Sequence, residues 1–254
     1  MSRTIVVTGA ASGIGAATVS RLKAAGHRVI GVDIKGSDID ADLGTAQGRA
    51  AMAEAVAKIA PEGIDGVLAG AGISSADKPR ETIAINYFGA VATLESLRPL
   101  LARSARPRAV AICSTAAMLP GNDTVVERCL AGDEPGALDA MEAAPGSSYP
   151  TSKQALARWV RRAAITPEWA GAGILLNGIG PGVVETPMTT PMLGMPDMVK
   201  LIGQSNPIAV KGFAQPSEIA ELIDFLLGME NHYLCGQIIY IDGGTDAILR
   251  TQQI

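Results

Sequence analysis

The segment that most constrains the fold is a glycine-rich turn between a short apolar run and a helical segment. It covers residues 8–15 (TGAASGIG) and follows the β-branched run Thr4–Thr8. Gly9 permits a sharp turn, Gly13 leaves room for a pyrophosphate, and Gly15 lets the helix pack closely against the strand. The helix N-terminus after it offers free N–H groups to an anion. A plain tight turn is the alternative interpretation of this segment, and motifs elsewhere in the chain have to distinguish the two.

Short apolar runs alternate with helical segments along the chain. The predicted strands cover residues 4–8, 28–33, 66–69, 109–114, 174–179 and 237–241, and the predicted helices cover 14–25, 45–60, 86–103, 149–169 and 216–229. The runs are continuously apolar, as in strands covered by helices on both faces. Right-handed strand–helix–strand units then predict an α/β fold, a single-domain Rossmann-type doubly wound parallel sheet flanked by helices. No linker divides residues 1–254.

Composition excludes several classes of protein. The chain has 21 basic and 25 acidic residues, without the run of like charges that marks a nucleic-acid surface. Cys113, Cys129 and Cys235 fit neither a disulfide framework nor metal-ligand spacing, and two histidines are too few for a His-based metal site or a Ser-His-Asp triad. No apolar stretch is long enough to span a membrane, and the chain begins without the anatomy of a signal peptide. We therefore expect a cytoplasmic protein with no metal, nucleic-acid or membrane partner.

A carboxylate follows the second predicted strand, where it would distinguish two dinucleotides. Asp33 lies 18 residues after Gly15. An acid there accepts hydrogen bonds from an adenosine ribose and repels a 2′-phosphate. Because no basic residue replaces Asp33 or Ser12, NAD(H) is favoured, and the nearby Lys35 leaves NADP(H) as the alternative.

Two more segments are candidates for the adenosine side of this site. Asp42 and Leu43 follow a short strand, where they either flank the adenine or merely precede the next helix. Residues 69–72 (AGAG) end another predicted strand, and small side chains there would let the adenosine approach the backbone.

Four polar residues are candidates for the chemistry. Tyr149 and Lys153 are four positions apart and share one helical face. An ammonium beside a phenol favours the phenolate, the form that accepts a proton; a surface phenol and a solvated lysine are the alternative for the pair alone. Ser114 ends a strand at the sheet edge where α/β proteins bind ligands, and could contact a carbonyl beside Tyr149. Asn86 begins the predicted helix 86–103, as an N-cap that could also hold a water near Lys153.

Over essentially its full length the chain resembles the short-chain dehydrogenase/reductase family. The matching motifs are residues 8–15, Asp33, residues 69–72, the four polar residues just described, Pro181-Gly182 with Thr186, and residues 241–244 (IDGG). The resemblance implies that Tyr149 is the acid/base and that Lys153 binds the nicotinamide ribose. It also implies that Ser114 orients the carbonyl and that Asn86 supports a proton-relay water.

The predicted site thus has a catalytic set and a set that binds NAD. The catalytic residues are Asn86, Ser114, Tyr149 and Lys153. The cofactor-binding residues are Gly9, Ser12, Gly13, Ile14, Gly15, Asp33, Asp42, Leu43, Gly70, Ala71, Gly72, Tyr149, Lys153, Pro181, Gly182, Val184 and Thr186.

The chain departs from the family pattern in three places. Ala69 replaces the usual asparagine, and Pro150 follows the tyrosine, which requires a helix start close by with Ser147 or Ser148 as the cap. The interval between Ser114 and Tyr149 is longer than usual, because of an insertion over about residues 116–146 that we expect to be a surface loop or partly helical. The insertion and the ending 242–247 (DGGTDA) resemble the bacterial 3α-hydroxysteroid dehydrogenase/carbonyl reductase branch.

A Met- and Pro-rich segment after Thr186 is the predicted substrate lid, over about residues 187–205. Methionines adapt to bulky apolar shapes, although a loose core-facing loop is the alternative. We expect an NAD(H)-dependent dehydrogenase for a bulky secondary alcohol or ketone, in the first place a 3α-hydroxysteroid. The alternatives are another alcohol or carbonyl (aromatic alcohol, polyol or 3-oxoacyl thioester) and a non-catalytic NAD-binding regulatory module.

A homodimer is the expected assembly. In the resembled family a pair of helices, one of them bearing the tyrosine, usually forms an interface. The insertion enters next to that helix and would block it, so we expect contact through the last strand and the helix over residues 216–229.

Overall fold

A seven-stranded sheet forms the centre of the structure, which is a computed structural model and describes residues 2–252. The strands are β1 (Thr4–Thr8), β2 (Arg28–Asp33), β3 (Ile39–Asp40), β4 (Gly66–Ala69), β5 (Arg108–Ile112), β6 (Leu175–Pro181) and β7 (Ile238–Ile241). Their order is β3-β2-β1-β4-β5-β6-β7, and all neighbouring strands are parallel. The predicted doubly wound parallel sheet is confirmed, with the short edge strand β3 in addition.

Helices cover both faces of this sheet. They are α1 (Gly13–Ala24), α2 (Ala46–Ile59), α3 (Pro79–Ile83), α4 (Ala90–Leu101), α5 (Asp123–Leu130), α6 (Glu134–Ala143), α7 (Ser148–Ala163), α8 (Thr190–Leu193), α9 (Pro196–Ser205), α10 (Pro216–Gly228) and α11 (Thr245–Leu249). Apolar side chains of α1 and α10 pack on one face of the sheet, and those of α2, α4 and α7 pack on the other. The two layers bury all of β4, β5 and β6 and most of β1 and β2, which explains why these strand sequences are continuously apolar.

The helix predicted to begin at Asn86 begins seven residues earlier. Pro79 starts α3, where its missing N–H falls among groups that have no helical partner. The helix then runs through a π-helical turn, Ala84–Gly89, directly into α4. Asn86 therefore lies inside a continuous helix, and its predicted position at a helix N-terminus is wrong.

Other predicted boundaries differ for local reasons. β5 ends at Ile112, so Ser114 is the N-cap residue of the 3₁₀ turn that follows and does not lie in the strand. α7 ends at Ala163 instead of extending to residue 169, because Pro167 disfavours helical geometry in the residue before it. At its other end α7 has Ser147 in the N-cap position and Pro150 in the first turn, as the sequence predicts.

The inserted segment is more ordered than a surface loop. It contains α5 and α6, and its apolar face joins the main core through buried side chains of Val125, Val126, Cys129, Ala137 and Met141. Its acidic residues are used in ion pairs: Glu134 with Arg49 of α2, Asp139 and Glu142 with Arg80 of α3, and Asp133 with Arg128. The insertion packs as a third layer over α3 and α7.

Candidate active site

One cleft at the carboxyl ends of the strands brings the predicted site together. Every predicted residue except Asn86 lines it: Gly9, Ser12, Gly13, Ile14, Gly15, Asp33, Asp42, Leu43, Gly70, Ala71, Gly72, Ser114, Tyr149, Lys153, Pro181, Gly182, Val184 and Thr186. The lining also includes Ile34, Ile73 and Ile85, which the sequence did not single out, Cys113, which received no role in the site, and Pro187, Met188 and Thr189 of the predicted lid. Parallel strands place their carboxyl ends at one edge, and that topology alone gathers residues so distant in sequence.

The glycine-rich turn has the close backbone packing that its sequence predicts. Gly9 has φ +74°, and a Cβ there would lie 2.9 Å from the carbonyl oxygen of Gly70. A Cβ on Gly15 would overlap the carbonyl oxygen of Gly9. Gly13 has φ +50° and faces the methyl group of Thr186, so its backbone conformation also favours glycine. Side chains at Gly9 or Gly15 would collide with neighbouring backbone, so the turn keeps this shape only with glycine at these positions.

The N-terminus of α1 is open toward the cleft. Ser12 is the N-cap residue in extended geometry, but its hydroxyl makes no capping hydrogen bond, and the first turn carries no acid. The N–H groups and positive end of the helix are thus available to an anion. A pyrophosphate is the kind of group that such a turn suits.

A hydroxyl that the sequence reasoning missed fixes the opposite wall. Thr8 Oγ1 accepts hydrogen bonds from the N–H groups of Gly70 and Ala71, over 3.0 and 3.2 Å. The end of β1 is therefore tied to the loop after β4. The sequence does contain an indication of this role, because Thr8 is the first residue of the glycine-rich segment.

The Asp33 carboxylate links the glycine-rich turn to the end of β2. Its oxygens accept from the N–H of Ala11 over 2.9 Å and from the N–H of Ile34 over 2.7 Å. The next side chain, Ile34, is exposed at the rim of the cleft. Among the cleft-lining residues of the described chain, Lys153 is the single cation, and it lies at the other end of the site. The Asp33 end thus combines a negative charge with an apolar neighbour.

Tyr149 and Lys153 lie on the first turns of α7. The buried Lys153 ammonium donates to the carbonyl oxygen of Ile112, at the end of β5, over 2.8 Å. Its Nζ is 5.6 Å from the centroid of the Tyr149 ring. The lysine is therefore held by the sheet with its ammonium beside the phenol ring.

Ser114 lies two residues beyond the end of β5, in the same cleft. Its hydroxyl oxygen accepts from the N–H of Ala116 over 3.1 Å and caps the 3₁₀ turn Thr115–Met118. That bond uses an acceptor position of the hydroxyl and leaves its proton available to a ligand.

Asn86 takes a different place from the one predicted. Its side chain is fully buried behind the cleft. Its Oδ1 accepts from the N–H of Ile73 over 2.8 Å, and its Nδ2 donates to the carbonyl of Ile73 and to the hydroxyl of Ser152 over 2.9 and 3.1 Å. All three bonds brace the loop after β4 against α7. The carboxamide thus has protein partners on both of its atoms.

Cys113 lines the cleft beside Ser114, but its thiol is inert. Burial raises the pKa of Cys113 to about 12, even though the nearby Lys153 charge acts in the opposite direction. A thiol in this state stays protonated at neutral pH and is neither a nucleophile nor a metal ligand.

The segment after Thr186 forms two short helices, α8 and α9, neither of which has a buried residue. It begins with a cluster of hydroxyls, in which Thr189 Oγ1 donates to the carbonyl oxygen of Val184. Met188 lines the cleft, while Met195 and Leu201 are exposed. We call residues 187–205 the lid.

Two properties of residues 2–252 concern membranes and metal ions. Each helix in this part of the chain is too short or too polar to traverse a bilayer. The same residues contain no cluster of His, Cys, Asp and Glu side chains placed to hold a metal ion.

Comparison with known families accounts for most of the chain. A model described as short chain dehydrogenase matches residues 3–126, and one described as Enoyl-(Acyl carrier protein) reductase matches residues 136–246. The chain is 38% identical to a 3-alpha-hydroxysteroid dehydrogenase/carbonyl reductase of Comamonas testosteroni, over 98% of each protein.

Solved structures show the same likeness. The 3-alpha-hydroxysteroid dehydrogenase of Pseudomonas sp. B-0831, complexed with NADH, superposes with a TM-score of 0.92 at 37% identity, covering 99% of this chain and 100% of that one. A Beutenbergia cavernae protein described as an NAD(P)-dependent gluconate 5-dehydrogenase, with bound NADP at low occupancy, gives a TM-score of 0.76 at 26% identity over 96% and 97% of the two chains.

Proposed function

Because the chain belongs to the short-chain dehydrogenase/reductase family, we propose that it is an NAD(H)-dependent oxidoreductase that interconverts a secondary alcohol and a ketone on a bulky hydrophobic substrate. The observation that carries the proposal is the position of Lys153. Its ammonium is buried, bonded to the end of β5 and close to the Tyr149 ring, in the cleft that Ser114 also lines.

NAD(H) is the proposed cofactor. The glycines of the turn and the open N-terminus of α1 leave a cradle for a pyrophosphate, and a Cβ at Gly9 or Gly15 would collide with the backbone that shapes it. Asp33 at the adenosine end supports NAD(H) over NADP(H), because a 2′-phosphate would meet a carboxylate and the apolar Ile34 and no cation from the described cleft lining. The NADH bound to the Pseudomonas relative agrees with this choice.

The roles of the polar residues follow from their positions. When bound, the nicotinamide supplies the hydride chemistry. Tyr149 takes the hydroxyl proton during alcohol oxidation and returns it during ketone reduction. Lys153 holds its ammonium beside the Tyr149 ring, and Ser114 donates its free proton to the substrate oxygen. Asn86 keeps the loop after β4 in place through the bonds of its side-chain amide to Ile73 and Ser152.

A 3α-hydroxysteroid is the proposed substrate. The lid presents methionine and leucine side chains that suit a large apolar ring system, and Met188 already reaches the cleft. The names of the Comamonas and Pseudomonas relatives support this class of substrate.

The test compares Tyr149→Phe with the matched variant Tyr233→Phe, which changes an exposed phenol. We expect Tyr149→Phe to lose on the order of 10³-fold in kcat, because the acid/base is gone, while NADH still binds. Turnover is followed by NADH absorbance with hydroxysteroids, aromatic alcohols and polyols, and binding by NADH fluorescence. Activity of Tyr149→Phe within tenfold of the parent would refute the mechanism.

The same panel of substrates distinguishes the alternative functions. A preference for polyols or acyl thioesters would replace the steroid assignment while keeping the reaction. NADH binding without turnover of any substrate would favour a regulatory module.

We also propose a cytoplasmic homodimer. All three cysteines are free thiols, which suits a reducing compartment. The layer formed by α5 and α6 covers α3 and α7, so that face is closed to a second chain. The opposite side carries the open edge of β7 and the exposed Phe225 of α10, which are available for a twofold contact.

A further inference from the structure

One side-chain hydrogen bond joins the far end of the lid to the turn that carries Ser114. The hydroxyl of Thr115 donates to the carboxamide oxygen of Asn206 over 3.0 Å. Thr115 is buried and directly follows Ser114, whereas Asn206 directly follows the last residue of α9. The two residues are 91 positions apart in the chain, so the bond connects separate parts of the fold.

Apart from this contact, the hydrogen bonds of the lid within the described chain are confined to the lid itself and its hinge. Within the described chain, the hydrogen bonds of residues 187–205 all stay inside residues 184–206. Neither α8 nor α9 has a buried residue. A segment with so little buried surface opens locally at low cost, so one added bond shifts its equilibrium appreciably.

Both partners of the bond are themselves held in place. The Thr115 turn is fixed by the Ser114 cap and by the bond from the N–H of Ala117 to the carbonyl of Ser114. On the lid side, the N–H of Asn206 donates to the carbonyl of Ile202 over 2.7 Å, and the N–H of Ala209 donates to the carbonyl of Gly243 over 2.7 Å. The bond therefore sets the last turn of α9 relative to the Ser114 turn.

We propose that Thr115 and Asn206 are positioning residues that latch the closing end of the lid over the reacting hydroxyls. Neither side chain lines the cleft, so each acts through the lid and not on the substrate. The inference rests on the proposed function, since the substrate has to lie between the lid and the Ser114 and Tyr149 hydroxyls. The latch then determines how tightly a bulky substrate is enclosed.

The first experiment is Thr115→Val, which keeps the shape of the side chain and removes the hydroxyl. Losing one neutral hydrogen bond should raise the open population of the lid about fivefold. Because the lost bond weakens closure of the lid both with and without substrate, we expect KM for the best substrate of the panel to rise by less than about fivefold, with kcat changed by less than about twofold, since the reacting groups are intact.

Conservative variants distinguish a latch from a general packing role. Thr115→Ser keeps the hydroxyl and Asn206→Asp keeps an acceptor oxygen, so both should retain the parent KM. Asn206→Leu should behave like Thr115→Val, and the double variant should be no worse than either single one. Thr190→Val is the matched control, because it makes the same change inside the lid at a hydroxyl that bonds only to the Thr186 carbonyl.

A second measurement needs no substrate. Lys200 is exposed in α9 and is a trypsin site, so the rate of the cut after Lys200 reports opening of the lid. In the NADH-bound protein this cut should be about fivefold faster for Thr115→Val than for the parent and for Thr190→Val. Mass spectrometry identifies the cut, and its loss in Lys200→Gln confirms the assignment.

The KM and the cleavage rate together test the latch separately from the proposed reaction. Faster cleavage in Thr115→Val supports the latch even if hydroxysteroids are not turned over, in which case only the proposed function fails. An unchanged cleavage rate in Thr115→Val would overturn the latch, whatever the substrate. A raised KM that Thr115→Ser fails to restore would overturn it as well.

Discussion

At Asp33, one carboxylate serves the fold and the proposed choice of cofactor together. Its two oxygens already hold the N–H groups of Ala11 and Ile34, and each oxygen has further acceptor capacity for a ribose diol. Cofactor preference is therefore built into the residue that shapes the glycine-rich turn.

Asp33→Ala should erode the preference for NAD. The variant loses the charged acceptor for the ribose, worth roughly 1.5–3 kcal/mol, and also loses the repulsion of a 2′-phosphate. We expect the ratio of kcat/KM for NAD over NADP to fall on the order of 10–100-fold. Asp42→Ala, which removes another cleft carboxylate that accepts from Gly44, is the control and should affect both cofactors alike. An unchanged ratio in Asp33→Ala would count against the assignment.

Two buried thiols make the protein sensitive to alkaline pH. Burial raises the pKa of both Cys113 and Cys129 from an ordinary 9.0 to about 12. Above about pH 9 the unfolded chain loses these protons while the folded chain keeps them, so the free energy of unfolding falls as pH rises, by about 1.4 kcal/mol per pH unit for each thiol.

Cys129→Ala tests this slope. Its free energy of unfolding, measured in urea at several values between about pH 9.5 and 11, should fall less steeply than that of the parent by about 1.4 kcal/mol per pH unit. The alanine also leaves a small cavity, but that cost does not vary with pH. Parallel slopes for the two proteins would show that the thiol does not titrate in this way.

The roles of single residues can be predicted from the sequence to different extents. Gly9 and Gly15 follow from a local motif, because the backbone conformation and the close packing are properties of the turn itself. The role of Asn86 does not follow from a local motif, because its partners are a loop carbonyl and a serine 66 positions away. No sequence pattern predicts the contact between Thr115 and Asn206, because the two residues meet only after the lid has folded back.

At the scale of elements, the insertion depends on ion pairs to the rest of the fold. Arg49 of α2 forms a bidentate pair with Glu134 of α6, and the Arg49 side chain is only 11% exposed. Arg49 also donates to the carbonyl of Thr45, just after the cleft residues Asp42 and Leu43. The insertion thus supports the adenosine end of the site from outside.

Arg49→Met should loosen this connection. Because Glu134 is left partly buried without its partner, we expect a loss of about 1–2 kcal/mol and a fall in Tm of roughly 2–8 °C. Arg128→Met is the matched control, because the Arg128–Asp133 pair is more exposed and lies within the insertion. Scanning calorimetry measures both, and equal shifts in Tm would contradict a special role for Arg49.

Helices and strands that span the core could be predicted from apolar runs, but the insertion could not. β2 and β4 were predicted with the bounds that the structure gives them, because a strand between two helical layers is apolar throughout. In α5 half of the eight residues are polar, and α6 has a proline and a glycine near its start, so the sequence indicates only a partly helical segment. Their burial depends on packing against α3 and α7, which no local pattern reports.

At the scale of the whole molecule, the fold class follows from the order of elements and the assembly does not. Alternating strands and helices leave few topologies once crossovers are right-handed. A subunit interface depends on which surfaces remain uncovered: the sequence predicts that the insertion blocks the tyrosine-bearing helix, and in the structure the insertion packs against α3 and α7.

Phe225→Glu should separate the proposed dimer. Phe225 is 59% exposed on α10, and a charge at the centre of an apolar contact costs several kcal/mol when buried without a partner. Size-exclusion chromatography with light scattering should show one chain where the parent shows two. Glu127→Lys, on the exposed side of α5, should leave the dimer intact. A tetramer in the parent protein would contradict the proposed interface.

The parallel arrangement of the sheet also sets an order of events during synthesis. β1 is made first but lies in the middle of the sheet, and its partner on one side, β4, is encoded 61 residues later. At translation rates of 5–20 residues/s this apolar strand waits roughly 3–12 s with one edge unpaired. The cell's chaperones, and not the finished fold, have to shield β1 during that interval.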